Sequence, residues 1–204
     1  MKKFLSICLI FAMLIASSAI MSSCEDDSSK AAVTTAATTA SEYNPSSATT
    51  TQATTIATTP IPAGYTLYND VISFVYPSSW TKTTGSQVML QDASTGNNIN
   101  IIYEEYTNVY ENMSESYALE LFGPVYEAIG STVNELEMTR KKTNGLDVTE
   151  ICILSYSNTM SVSMYQTQYI FRVDQYNYIV TITEMVSDTE MIQNVFNSLK
   201  LASK

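Results

Sequence analysis

Few residues in this 204-residue chain could do chemistry, and their types exclude several kinds of active site. The sequence has three cysteines, Cys8, Cys24 and Cys152, and no histidine. Without histidine, neither a Ser-His-Asp triad nor a Cys-His pair nor a histidine-ligated zinc site can form. Phosphate-binding loops of the GxxxxGKS or GxGxxG type are also absent from the sequence. We therefore predict a protein that is not an enzyme and needs no cofactor, with paired carboxylates for glycoside hydrolysis as the one catalytic alternative.

The first 23 residues have the layout of a secretory signal. Met1-Lys2-Lys3 is basic, residues 4–20 are almost wholly apolar, and small residues then lead to Cys24. Two alternatives stay open: the apolar run is near the lower length limit for an uncleaved membrane helix, and an ordinary signal peptidase could release the chain.

Cys24 has a more specific sequence context. Met21-Ser22-Ser23-Cys24 resembles the lipobox of bacterial lipoproteins, with Met21 in place of the usual leucine. The resemblance implies that the thiol of Cys24 receives a diacylglyceryl group and that cleavage follows before it, so residues 1–23 are a lipoprotein signal peptide. Two long acyl chains anchor a protein stably where one is marginal. We expect the protein on the outer face of the bacterial cytoplasmic membrane, attached through this lipid.

Residues 24–63 are predicted to form a disordered tether. They consist largely of serine, threonine and alanine, with Pro45, Pro60 and Pro62 and almost no large apolar side chain. Such a segment cannot offset the conformational entropy that an ordered backbone loses. The repeated threonine pairs would suit O-glycosylation, and a plain solvated spacer is the alternative.

Residues 64–204 have the alternation and turn chemistry of one α+β domain. Strands are predicted at 65–68, 71–76, 86–90 and 98–105. A helix follows, starting at Asn112 or at the rival cap Ser114, and Gly130 ends it. We expect Pro124 to kink or split this helix. Its predicted apolar stripe consists of Tyr117, Leu121, Val125 and Ile129, with Ala118 and Phe122 beside them.

The sequence pattern of the second half of this domain predicts long antiparallel strands and a C-terminal helix. Strands are predicted at 133–143, 146–157, 161–173 and 178–185, with a tight hairpin at Asn144-Gly145. Ser187 and Glu190 form a capping box for the last helix, whose inward stripe is Met191, Ile192, Val195, Phe196 and Leu199. Apolar residues on both sides of several strands predict an antiparallel sheet with helices on both faces.

A family resemblance supports the same layout. Phe74, Tyr76-Pro77 and Trp80 match the start of PsbP-like domains, and the run from Val195 to Leu199 matches their end. The resemblance implies an α-β-α sandwich that serves as a binding or assembly module, and it carries no catalytic motif.

Three groups of residues are candidate sites in this domain. Cys152, in the middle of an apolar strand, is predicted to be inert core filler. The only positive cluster is Arg140-Lys141-Lys142, either a solvated hairpin end or a patch for an acidic wall polymer. A set of acids could offer oxygens to a hard cation, although no EF-hand spacing supports a metal site: Asp92, Glu104, Glu105, Glu111 and Glu115.

Tyrosines are the most abundant aromatic residues, and five of them flank the predicted strand–helix junction. The chain has 14 tyrosines, and the five are Tyr103, Tyr106, Tyr110, Tyr117 and Tyr126. They could form a platform for sugars or peptides. The alternative is that they are half-buried on the faces of the sheet.

The charge of the chain limits its partners. A formal net charge of −10 argues against nucleic acid, whose phosphates would repel the protein. We therefore predict a non-catalytic lipoprotein that binds or scaffolds a protein or cell-wall partner. The alternative is a module that binds wall glycan or peptide through its surface tyrosines.

Overall fold

A computed structural model describes residues 60–84 and 87–202. The predicted signal peptide, the predicted lipidation site Cys24 and nearly all of the predicted tether lie outside the described residues. The strands are β1 Tyr65–Asn69, β2 Ile72–Pro77, β3 Thr81–Thr84, β4 Val88–Gln91, β5 Asn98–Glu105, β6 Ser131–Thr143, β7 Leu146–Ser157, β8 Val162–Val173, β9 Tyr176–Glu184 and β10 Lys200–Leu201. The helices are α1 Val109–Asn112, α2 Glu115–Ala128 and α3 Thr189–Ser198.

These strands form two sheets in which the pairings are antiparallel. The larger sheet has seven strands in the order β3-β4-β5-β9-β8-β7-β6, and the smaller has the order β1-β2-β10. With its helices, this part of the chain belongs to the α+β class, as the sequence predicts. Strand β3, which the sequence pattern did not indicate, pairs with β4 at one end of the larger sheet.

The turn residues fix the registers of the long strands. Asn144 and Gly145 have φ values of 45° and 84°, the left-handed pair that a tight hairpin needs, and Thr143 pairs with Leu146. The hairpin between β8 and β9 turns at Asp174, which has φ 53°. Because this turn is tight, β9 begins at Tyr176, and the predicted start at residue 178 is wrong.

Helix α2 begins at the second of its two predicted caps, and its buried face differs from the prediction. The cap is Ser114, whose Oγ accepts a hydrogen bond from the Tyr117 backbone N–H at 3.2 Å. The helix continues through Pro124, so the predicted split is wrong. Gly130, with φ 73°, follows its end as predicted. The buried face is rotated away from Tyr117 and consists of Ala118, Phe122, Val125 and Tyr126.

Helix α3 confirms its predicted stripe but not its predicted cap. Met191, Val195 and Leu199 are fully buried, and Ile192 and Phe196 pack beside them. Asp188 rather than Ser187 caps the helix, since its carboxylate accepts from the Met191 N–H at 3.0 Å. In the part of the chain that the structure covers, no helix is long and apolar enough to cross a membrane.

The core consists of two clusters built on alternate residues of the same strands. One contains Tyr68, Phe74, Trp80, Val148, Phe171, Tyr178, Val180, Ile182, Met191, Val195 and Leu199. The other contains Tyr110, Met113, Ala118, Phe122, Val125, Tyr126, Ile151, Ile153, Ile170 and Ile179. Since successive side chains of a strand point to opposite faces, the larger sheet carries apolar residues on both of its faces.

Candidate functional site

A groove of about 560 Å³ opens at one end of the larger sheet, where β6, β7, β8 and β9 meet helix α1. Its floor includes Thr149 and Ile170, which are paired across β7 and β8. Tyr110 and Glu111 of α1 line it from above the sheet. This volume is within the range of ligand-binding pockets, about 300–1,000 Å³.

Arg140 joins the edge strand β6 to helix α1 in this groove. Its Nη2 atom donates hydrogen bonds to the carbonyl oxygens of Glu111 at 2.5 Å, Met113 at 3.2 Å and Tyr110 at 3.5 Å. The last carbonyls of a helix have no partner within the helix, and α1 has no basic residue in its own last turn. Arg140 therefore satisfies these carbonyls and fixes the position of α1 against the sheet.

Arg172 on β8 is held by different partners. Its guanidinium lies 4.0 Å from the ring centroid of Tyr106, and its Nε donates to the carbonyl oxygen of Asp174 at 2.8 Å. The Tyr106 hydroxyl in turn donates to Glu111 at 3.0 Å. The cation–π contact and these hydrogen bonds hold the guanidinium at the border of the groove.

Positive charge is concentrated around this groove, although the whole chain is acidic. Three of the six basic residues in ranges 60–84 and 87–202 have their side chains on this side of the sheet: Arg140, Lys142 and Arg172. Lys142 pairs with Asp147 at 2.5 Å and Lys141 with Glu150 at 2.6 Å. Among the described residues, neither Arg140 nor Arg172 forms an ion pair with a carboxylate.

The predicted cluster Arg140-Lys141-Lys142 is divided by the strand. Lys141 points to the face opposite its two neighbours, where it pairs with Glu150 and lies 5.4 Å from the ring centroid of Phe196. The sequence run therefore does not act as one patch. The structure replaces it with a different pair, Arg140 and Arg172, which comes from two strands.

The five predicted tyrosines do not form one platform. Tyr110 is buried and donates to Glu104 at 2.8 Å, and Tyr126 is fully buried and hydrogen-bonded to Gln166. Tyr117 is exposed on α2, and Tyr106 lies under Arg172. Tyr103 is 64% exposed.

The sequence pattern did not indicate the aromatic neighbours of Tyr103. Its ring lies edge-on to Tyr176 at 5.5 Å and stacks with Tyr178 at 5.6 Å between centroids. Tyr103 and Tyr178 are paired residues of β5 and β9. Only the alternation of tyrosines in β9 could have indicated this aromatic group.

The acids proposed as cation ligands do not meet at one site. Asp92 accepts from Ser94 and Thr95 within its own turn, and the hydrogen bonds from Ser94 are the main cause of its lowered pKa. Burial raises the pKa of Glu104, and Glu115 accepts from the Met138 N–H at 3.2 Å. Within the described ranges, no three histidine, cysteine, aspartate or glutamate residues are placed to hold a metal.

Cys152 is half-buried on β7, so the predicted place inside the core is wrong. Its Sγ lies 4.0 Å from the Thr167 hydroxyl. Burial, together with the nearby charge of Glu150, raises the pKa of the thiol above its ordinary value. Because the thiolate is the reactive form, this shift lowers the reactivity of the thiol, and the inertness of Cys152 stays a prediction.

These features define an α+β domain with an open groove bordered by arginines. No protein-family model matches the chain, so its resemblance to PsbP-like proteins stays a prediction. No curated protein matches it either.

Solved structures with a similar arrangement include two bacterial proteins. A crystal structure from Bacteroides thetaiotaomicron VPI-5482 has 12% identity and a TM-score of 0.43, over 66% of this chain and 46% of that one. LpqN, involved in cell envelope biogenesis of Mycobacterium tuberculosis, has 8% identity and a TM-score of 0.42, over 68% of this chain and 91% of that one. This chain thus spans less than half of the Bacteroides chain. Similarity at this level does not assign a function.

Proposed function

We propose that this chain is a lipid-anchored module of the bacterial cell envelope that binds or scaffolds a partner outside the cytoplasmic membrane and catalyses no reaction. The observation that carries the proposal is the order of segments: a basic and apolar leader, Met21-Ser22-Ser23-Cys24, a Ser/Thr/Ala-rich segment to residue 63, and then β1 from Tyr65. A flexible segment of this length would place the domain on the order of 35 Å from its anchor.

The groove supports a binding role better than a catalytic one. The chain has no histidine, and both acids that line the groove already have partners. Glu111 accepts from Tyr106, and Asp147 pairs with Lys142. A general acid or base needs a side chain free to exchange a proton with the substrate. Fixed arginines and an open groove instead suit a module that holds a charged partner.

The layered fold is part of the same proposal. We propose a PsbP-like α-β-α sandwich in which α2 covers one face of the larger sheet and α3 the other. The two core clusters support this arrangement. Phe122 and Val125 of α2 belong to the same cluster as Ile151 and Ile170. Val195 of α3 belongs to the other cluster, with Val148 and Phe171, which point to the opposite face of the same two strands.

Replacing Cys24 with alanine tests the anchor. We expect the wild-type chain in the membrane fraction with an acylated amino terminus, and the Cys24→Ala chain either unprocessed or released, since it has no thiol to acylate. The readouts are cell fractionation and the intact mass of the purified protein. Cys8→Ala, within the leader, is the matched control and should behave as wild type. A Cys24→Ala chain found in membranes at the wild-type mature mass would overturn the anchor.

The binding role is tested by recovery of the wild-type chain from detergent-solubilised membranes. A partner or wall polymer should be recovered with it in a fixed ratio. Less of the partner or polymer should be recovered with the released Cys24→Ala chain, because this chain is no longer held beside its partner. Repeated recovery of the bare chain after cross-linking in intact cells would count against this role.

A second candidate function is the binding of wall glycan or peptide through surface tyrosines, and Tyr103 favours it. This ring is 64% exposed and is held by Tyr176 and Tyr178. We expect Tyr103→Ala to weaken binding of the full chain to purified cell wall about fivefold, the effect of losing one aromatic contact. Tyr117→Ala, which removes another exposed ring, is the control in the sedimentation assay. Equal binding by both variants would exclude Tyr103 as a contact.

A further inference from the structure

We propose that the groove between α1 and the larger sheet binds an anionic oligosaccharide, whose acidic groups contact Arg140 and Arg172. This inference deepens the binding role proposed above and rests on it. The ligand would carry carboxylate or phosphate groups on a hydroxyl-rich chain.

The charges of the groove favour an anionic ligand. The chain carries 20 acidic residues against 10 basic ones, yet the groove is bordered by two arginines that have no carboxylate partner among the described residues. In an acidic protein, nearby carboxylates would be expected to neutralise such groups. Guanidinium groups form their strongest hydrogen bonds with carboxylates and phosphates. The groove is therefore suited to an anion supplied by a ligand.

The spacing of the two arginines favours a ligand with more than one acidic group. Arg140 pairs with Thr149, Thr149 pairs with Ile170, and Arg172 lies two residues further along β8. Strand geometry puts their Cα atoms about 12 Å apart. Their guanidinium groups are held by different partners, the α1 carbonyls and the Tyr106 ring. A chain that repeats its acidic groups fits this arrangement better than a single small anion.

The mixture of basic and acidic residues in the groove lining favours a sugar over an acidic peptide. Glu111 and Asp147 line the same groove as Arg140 and would repel the acidic groups of any ligand, but the hydroxyl groups of a sugar can donate hydrogen bonds to them and the carboxylates of an acidic peptide cannot. Each carboxylate has further acceptor capacity beyond its present partner. They can therefore accept hydrogen bonds from sugar hydroxyls, while Asn177 and Thr149 add polar groups to the lining.

Arg172 is the residue to test, because Arg140 also holds α1 in place. The full chain in non-ionic detergent is titrated by calorimetry with a galacturonic acid hexamer, whose repeated carboxylates can reach both arginines, and, separately, with mannopentaose phosphate, whose single phosphate can reach only one. We expect one or both to bind, and Arg172→Gln to raise the Kd about tenfold through loss of a charge-assisted contact. Binding should weaken as sodium chloride is raised, because salt screens the attraction.

Lys82→Gln is the matched control for this experiment. Lys82 also lies over a tyrosine ring, at 5.0 Å from the centroid of Tyr68, but it is not part of the groove lining. We expect its Kd to stay within about twofold of wild type. An equal loss of affinity in Arg172→Gln and Lys82→Gln would show that only the overall charge of the protein matters, and would overturn the proposed site.

Asp147→Asn provides a test in the opposite direction. Removing this negative charge from the groove should tighten binding of the galacturonic acid hexamer about twofold, since an exposed charge contributes little. Neutral maltohexaose should bind none of the proteins measurably. Binding of a hexaglutamate peptide in preference to both sugars would overturn the assignment of the ligand as a sugar. If neither sugar bound, the proposed site would be overturned. That result would not affect the test of the Cys24 anchor.

Discussion

Phe74→Ala should lower the free energy of unfolding by about 3–5 kcal/mol, the cost of emptying a fully buried aromatic position. Phe74 is 0% exposed on the central strand of the smaller sheet, and its ring stacks on Tyr68 at 5.0 Å between centroids. The cluster that contains it also includes residues of the larger sheet and of α3. The cavity therefore affects the contact between the two sheets.

Urea unfolding of the full chain in detergent, followed by the fluorescence of Trp80, measures this effect. Trp80 is the single tryptophan and belongs to the same cluster. The melting temperature should fall by about 10 °C or more. Val71→Ala is the control, because Val71 is 47% exposed and should lose less than about 0.5 kcal/mol. If Phe74→Ala lowered the free energy of unfolding by a similarly small amount, the smaller sheet would not pack as described.

Asn97→Ala should lower the free energy of unfolding by about 2–4 kcal/mol, because its buried amide serves three backbone groups. The Oδ1 atom accepts from the N–H groups of Met185 at 2.9 Å and Val186 at 3.2 Å, and Nδ2 donates to the Val186 carbonyl at 2.8 Å. Asn97 is 4% exposed. It therefore fixes the link from β9 to α3 against the turn before β5.

Hydrogen exchange distinguishes this mechanism from general destabilisation. The amides of Met185 and Val186 should lose protection in Asn97→Ala even under conditions where the sheet as a whole stays protected. Asn112→Ala is the control, since the side chain of Asn112 makes one exposed hydrogen bond, to the Asn108 carbonyl at 3.0 Å. Unchanged exchange at Met185 and Val186 would contradict the proposed role of Asn97.

Local sequence patterns predicted the α+β class and much of the order of its elements. Asn144-Gly145 specified its hairpin because both residues tolerate positive φ, and the stripe of Met191, Val195 and Leu199 predicted the buried face of α3. Errors arose where two local signals competed. Asp188 became the cap of α3 in place of Ser187, and packing against Ile151 and Ile170 selected the buried face of α2.

The groove could not be predicted in the same way. Arg140 and Arg172 come together because β7 lies between β6 and β8, and Tyr103 meets Tyr178 because β5 pairs with β9. The sequence alone determined the absence of histidine, the context of Cys24 and the short-range turns, because each depends on residue type or on neighbours a few positions away. The tertiary structure decided which arginines, tyrosines and amides meet, because strand order and register bring distant residues into contact and neither is encoded in a local pattern.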